Sequence, residues 1–86
     1  MSKIFKISQS DFYVYQNAHA LAKFMTRTVE GHPDYLLFVR QFMDMSMKML
    51  KDEDVSYYVS WFNEWFETAT IFGVVWNEDT SEWYDK

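Results

Sequence analysis

ATIFGVVWNEDTSEWYDK, residues 69–86, is the stretch on which the fold of this chain turns. Up to Thr68 the pattern is helical. From Ala69 the residues become β-branched and aromatic around Gly73, a composition that favours strands. Trp76 and Trp83 then bracket the turn-prone run Asn77 to Glu82. If the chain folds back there, Val74 and Trp76 alternate on one strand and Trp83 and Asp85 on the other. Facing aromatics stabilise a cross-strand pair of this kind. The loop contains no glycine, which counts against a tight turn. Two outcomes stay open: a C-terminal hairpin, or a third helix prolonged past Gly73 with a loose tail.

Upstream, the spacing predicts three helices. Ser8, Asp11 and the Ile7/Phe12 pair carry the pattern of a capping box with a hydrophobic staple, so the first helix runs from about residue 9 to 29. Val14, Ala18, Leu21 and Met25 form its inward stripe, and Gly31 supplies a left-handed stop. His32-Pro33-Asp34 restarts the chain, since proline suits the first helical position. The second helix, about 33–51, carries two adjacent apolar stripes. One is Tyr35, Phe38, Phe42, Met45 and Met49; the other is Leu36, Val39, Met43 and Leu50. A helix apolar over most of its circumference is central in its fold or covered by another chain. Asp52 or Asp54 caps the third helix, from about residue 54, with Val55, Tyr58, Val59, Phe62, Trp65, Phe66 and Ala69 inward. The β-prone KIFKI of residues 3–7 is suited to an edge strand. The expected fold is mainly α: one three-helix domain over residues 1–86, with a small C-terminal hairpin (α+β) and an N-terminal edge strand as its variants. Its core includes Leu21, Met25, Val39, Phe42, Phe62 and Phe66.

Half of the 86 residues are apolar, which excludes simple disorder, and 21% are aromatic. There is no cysteine, so disulfides and thiolate metal sites are unavailable, as suits a reducing cytosol. The opening MSKIFKIS lacks the apolar core of a signal peptide, and no run is long enough to span a membrane. A soluble, cytoplasmic protein is expected. Charge is unevenly spread: residues 1–51 carry a net +3 and residues 52–86 a net −8. Direct binding to nucleic acid or an anionic membrane needs a concentrated basic footprint, which this chain lacks.

Few constellations carry chemistry. His19 and His32 have no cysteine to help them, and a zinc site takes at least three protein ligands. Asp52-x-Asp54-x-Ser56 starts like a calcium loop, but Tyr57 and Asn63 stand where glycine and glutamate are required. Met43, Met45, Met47 and Met49 alternate, and helix residues two apart point to nearly opposite sides, so they do not converge on copper. Gly31 and Gly73 are the only glycines, which rules out a glycine-rich phosphate loop. No metal, cofactor or catalytic set is expected.

What remains is an acidic, aromatic region: Trp61, Glu64 and Glu67 on the third helix, then Glu78, Asp79, Glu82, Trp83, Tyr84 and Asp85. Aromatics dominate interface hot spots, and carboxylates around them select a basic partner and speed encounter. These same tryptophans are equally suited to closing a small core. The leading expectation is a non-catalytic inhibitor that occludes a basic site on a larger protein. A nucleic-acid-handling enzyme is a natural target, because spaced carboxylates imitate phosphates. By analogy alone this suits a viral or mobile-element antagonist acting in the host cytoplasm. The alternative is a homo-oligomeric helical module assembled through the second helix, enclosing a small ligand between subunits.

Overall fold

In the computed structural model, which describes residues 9–28 and 34–86, the helices are α1 (Gln9–Thr28), α2 (Tyr35–Leu50) and α3 (Ser56–Ile71). The chain ends in an antiparallel hairpin, β1 (Val74–Asn77) and β2 (Glu82–Asp85). Three helices and a hairpin are thus the fold, and the prolonged third helix is not formed. The expected edge strand at 3–7, the Ser8 cap, the Gly31 stop and the His32-Pro33 restart lie outside the described residues.

The end of α3 shows why the hairpin prevails. Phe72 N–H still reaches back to the carbonyls of Thr68 and Ala69, and Gly73 N–H reaches Thr70. Gly73 itself then takes φ +91°, a region open to glycine and costly for other residues, and the chain reverses into β1. Lys86 N–H closes the far end of the ladder on the Gly73 carbonyl, 2.9 Å away. Without glycine, the loop uses two substitutes. Asn77 Oδ1 accepts from the backbone N–H of Asp79 (2.9 Å) and of Thr80 (3.4 Å), an Asx turn, and Ser81 takes the left-handed conformation at φ 56°.

The α2–α3 connection corrects the expected cap. Asp52 does not open α3; it closes α2, at φ 57°. Its N–H donates to the Met49 carbonyl (3.2 Å) while Glu53 N–H donates to Lys48 (2.9 Å), the paired bonds of a Schellman motif. Asp54 turns the chain into α3: its Oδ1 accepts both the N–H (3.0 Å) and the hydroxyl (2.6 Å) of Ser56.

The core is built on α1, which packs against α2, α3 and β2, while β1 rests on α3. Leu21, Met25, Phe38, Met45, Val55 and Phe62 are fully buried. Val39, Phe42 and Phe66, expected in the core, are half-buried against it. Aromatic rings run through the interior as a chain of edge and tilted contacts. Phe38 meets Phe62 (5.2 Å) and Trp65 (4.9 Å), Phe66 meets Trp83 (5.5 Å), and Trp83 meets Trp76 (5.4 Å). The central helix is therefore α1, not α2. The first of α2's two apolar stripes faces the core, whereas the second touches it only through Val39. Leu36, Met43 and Leu50 of the second are exposed. The methionines divide accordingly, Met45 and Met49 buried and Met43 and Met47 exposed.

Candidate functional site

Two adjoining regions of sequence supply the acidic, aromatic residues, and the fold treats them differently. On α3 the exposed positions Tyr57, Glu64, Glu67 and Ile71, together with half-buried Trp61, recur every three or four residues and so share one side of the helix. Trp61 is half-buried, its ring edge-on to Phe62 at 5.2 Å and 6.1 Å from Trp65. One side of the indole is thus fixed by the core. Glu64 and Glu67 are exposed, and neither takes part in an ion pair among the described residues. Ile71, 82% exposed, and Phe72 continue this face beyond the carboxylates. Sequence reasoning missed both, because around Gly73 it left the helix end undecided and so could not assign them a side. Their signal was the spacing: Ile71 is four residues from Glu67.

The hairpin divides its residues by the two-residue period of a strand. Trp76 pairs with Trp83 and Val74 with Asp85 on one side, Val75 with Tyr84 and Asn77 with Glu82 on the other. The first side packs inward. Trp83 is 7% exposed, and its indole N–H donates to the backbone carbonyl of Asn17 in α1, 3.0 Å away. It closes the core rather than offering a surface anchor. Tyr84 and Glu82, on the other side, are exposed. Glu78 and Asp79 are exposed on the loop, and Asp85 at the strand end.

The loop carboxylates do not stand in an isolated acidic field. Glu78 lines an open cleft of about 600 Å³ together with Tyr13, His19 and Lys23 of α1 and with Trp76. Glu82 lines a neighbouring hollow of about 220 Å³ with Lys23 and Arg27. The hairpin thus sets part of its negative charge beside the basic side of α1, without a direct ion pair. Glu64 and Glu67 have no lysine or arginine on their own helix. The α3 face is thus a portion of the expected site where carboxylates without a basic residue on their own helix lie beside aromatic surface.

His19 is exposed and stacks on Phe42 at 5.6 Å with the rings 15° apart. No serine or threonine hydroxyl among the described residues hydrogen-bonds to it. Among the described residues no three His, Asp or Glu side chains gather as a metal-binding group, and no helix is long and apolar enough to cross a membrane. Among the described residues, the buried Asn17 Oδ1 and Trp76 Nε1 have no hydrogen-bond partner.

Among the described residues, Asp54 and Lys48 are displaced from their ordinary values, and both lie at the α2–α3 connection rather than on the acidic face. The hydrogen bonds from the Ser56 hydroxyl and then its N–H hold the Asp54 carboxyl below the usual value. The hydrogen bond to Glu53 at 3.2 Å, and then its charge, raise the Lys48 ammonium.

Comparison with family models, with curated proteins and with solved structures found no match to this chain.

Proposed function

We propose that the protein is a non-catalytic binding protein whose α3 face, with Glu64 and Glu67 set among Tyr57, Trp61, Ile71 and Phe72, covers a basic site on a larger protein. The observation that carries this reading is the idleness of those carboxylates within the fold: both are exposed and outside any ion pair among the described residues. They contribute charge without contributing to the core or to a turn. Held beside apolar and aromatic side chains, they form a surface with steering charge and anchoring area, the two parts of a specific protein interface. The Trp61 ring is already oriented by its core neighbours, so little rotamer freedom is lost when its outer side is covered. On the hairpin, Asp79 is exposed as well, while Glu78 and Glu82 lie beside Lys23 of α1.

The partner best matched to this chemistry is a nucleic-acid-handling enzyme, whose phosphate-binding groove is basic. Occluding that groove makes the protein an inhibitor that imitates nucleic acid, and a viral or mobile-element origin with action in the host cytoplasm accords with such a role by analogy. The test is capture from the native host's lysate by wild-type chain and by the Glu64→Lys/Glu67→Lys variant, followed by competition. A basic partner retained by wild type, lost with the variant and displaced by nucleic acid is the expected result. A partner held equally by both, or one that binds nucleic acid and this chain at once, would overturn the reading.

A further inference from the structure

Along α2, Leu36, Met43, Met47 and Leu50 expose 78%, 60%, 53% and 64% of their surface, and half-buried Val39 borders the same stripe. The steps from 36 through 39, 43 and 47 to 50 are three, four, four and three residues. Such spacing keeps all five positions on one side of the helix. It is also a palindrome centred on Met43. We infer that this face docks against the same face of a second copy of the chain, with the two α2 helices antiparallel across a two-fold axis at Met43. In that arrangement Leu36 of one copy meets Leu50 of the other, Val39 meets Met47, and Met43 meets its own counterpart. A two-fold contact joins one patch to itself, so a palindromic stripe satisfies it with no shift in register.

The flanking charges favour the same orientation. Arg40 and Asp44 are exposed beside the stripe, and among the described residues neither forms a direct ion pair, although the charge of Asp44 acts on Lys48 one turn on. With Met43 on the axis and about 1.5 Å rise per residue, each Arg40 falls about 3 Å along the helix direction from Asp44 of the other copy. That makes two opposite-charge approaches against one like-charge approach of about 3 Å between the two Asp44, while the two Arg40 lie about 9 Å apart. Parallel helices would instead set each charge level with its like, and would align the two helix dipoles unfavourably. Methionine suits such a seam, because its flexible thioether adapts to a facing side chain. The seam lies on α2, so it stands independently of the acidic face of α3.

Absence of cysteine lets single substitutions report the geometry. Light scattering of the wild-type chain at sub-millimolar concentration should give twice the monomer's 10.5 kDa, and high salt should not dissociate the pair. Met43→Cys should oxidise to a linked dimer, since the axis brings position 43 within the roughly 7 Å Cα separation a disulfide needs. Leu36→Cys alone should not link, its two copies lying about 21 Å apart along the helices. Mixed with Leu50→Cys it should link. Met43→Glu, with Met47→Lys as a second exposed variant should the first fail to fold by circular dichroism, should return the chain to monomer. A monomeric wild type, with the stripe bare or covered by residues 1–8, overturns the inference. Self-linking at position 36 without linking at 43, or a dimer indifferent to both charged variants, does so equally.

Discussion

Trp76 and Trp83 face each other across the hairpin, yet their indole N–H groups fare differently. That of Trp83 donates to the Asn17 carbonyl, whereas that of Trp76 is buried without a partner. A lost buried hydrogen bond costs more than a removed orphan donor, because the orphan already bears its desolvation penalty. Trp83→Phe should therefore destabilise by about 1–2 kcal/mol in urea unfolding, and Trp76→Phe by less than about 1 kcal/mol. Equal effects would show that the Asn17 contact contributes nothing. Phe62 sits where α2 and α3 meet, fully buried and edge-on to Phe38. Phe62→Ala should cost about 3–5 kcal/mol, as for buried aromatics generally. A variant melting with wild type would place the ring outside the core.

At the level of elements, stability rests on how each one ends. The hairpin loop depends on Asn77 and Ser81 where a glycine is usual. Asn77→Ala removes the acceptor that organises the loop and should cost about 1 kcal/mol, a typical net hydrogen-bond contribution. Ser81→Gly relieves a left-handed non-glycine residue and should be neutral or stabilising by up to about 1 kcal/mol once glycine's added unfolded-state freedom is counted. Thermal melting checks both, and a destabilised Ser81→Gly would mean that the serine side chain matters more than the backbone. At the start of α3, Asp54 has its pKa lowered by Ser56. A lowered folded pKa means stability that is present above the ordinary carboxylate value and is lost as pH falls through the lowered one. Asp54→Asn should flatten this acid limb of the stability profile, measured by urea midpoints across the acid range, and should leave the slope near neutrality alone. An unchanged acid limb would refute the linkage.

Across the whole molecule, charge is unevenly distributed. Glu78 and Glu82 of the hairpin lie beside Lys23 of α1, and Glu82 beside Arg27 as well, while Glu64 and Glu67 on α3 have no basic residue on their helix. Reversing Glu64 and Glu67 to lysine should leave the melting temperature near wild type, since both are exposed and outside any ion pair among the described residues. The same change should slow association with a basic partner by about tenfold at low salt and weaken its salt dependence, as electrostatic steering requires. Stopped-flow mixing at two ionic strengths reads both quantities. Unchanged association kinetics in a folded variant would remove α3 from the interface.

The elements were legible in the sequence because their causes are local. Apolar residues at three- and four-residue spacing marked the three helices, and the inward stripe of α3 was read correctly from Val55 to Ala69. That Trp76 and Trp83 share one face of the hairpin was legible too, since a one-residue slip would turn one of them to the other side. The hairpin itself stayed undecided, because Asn77 and Ser81 replace the expected glycine through a side-chain bond and a backbone conformation that residue type alone does not reveal. Asp52 was ambiguous for a related reason: aspartate suits a helix start, and only the backbone bonds from Asp52 and Glu53 make it a helix end. Centrality was beyond the sequence altogether. Periodicity shows that α2 has two apolar stripes, but which stripe is buried depends on where α1, α3 and the hairpin can sit together. They gather around α1, draw Trp83 inward, and leave Leu36, Met43, Met47 and Leu50 at the surface.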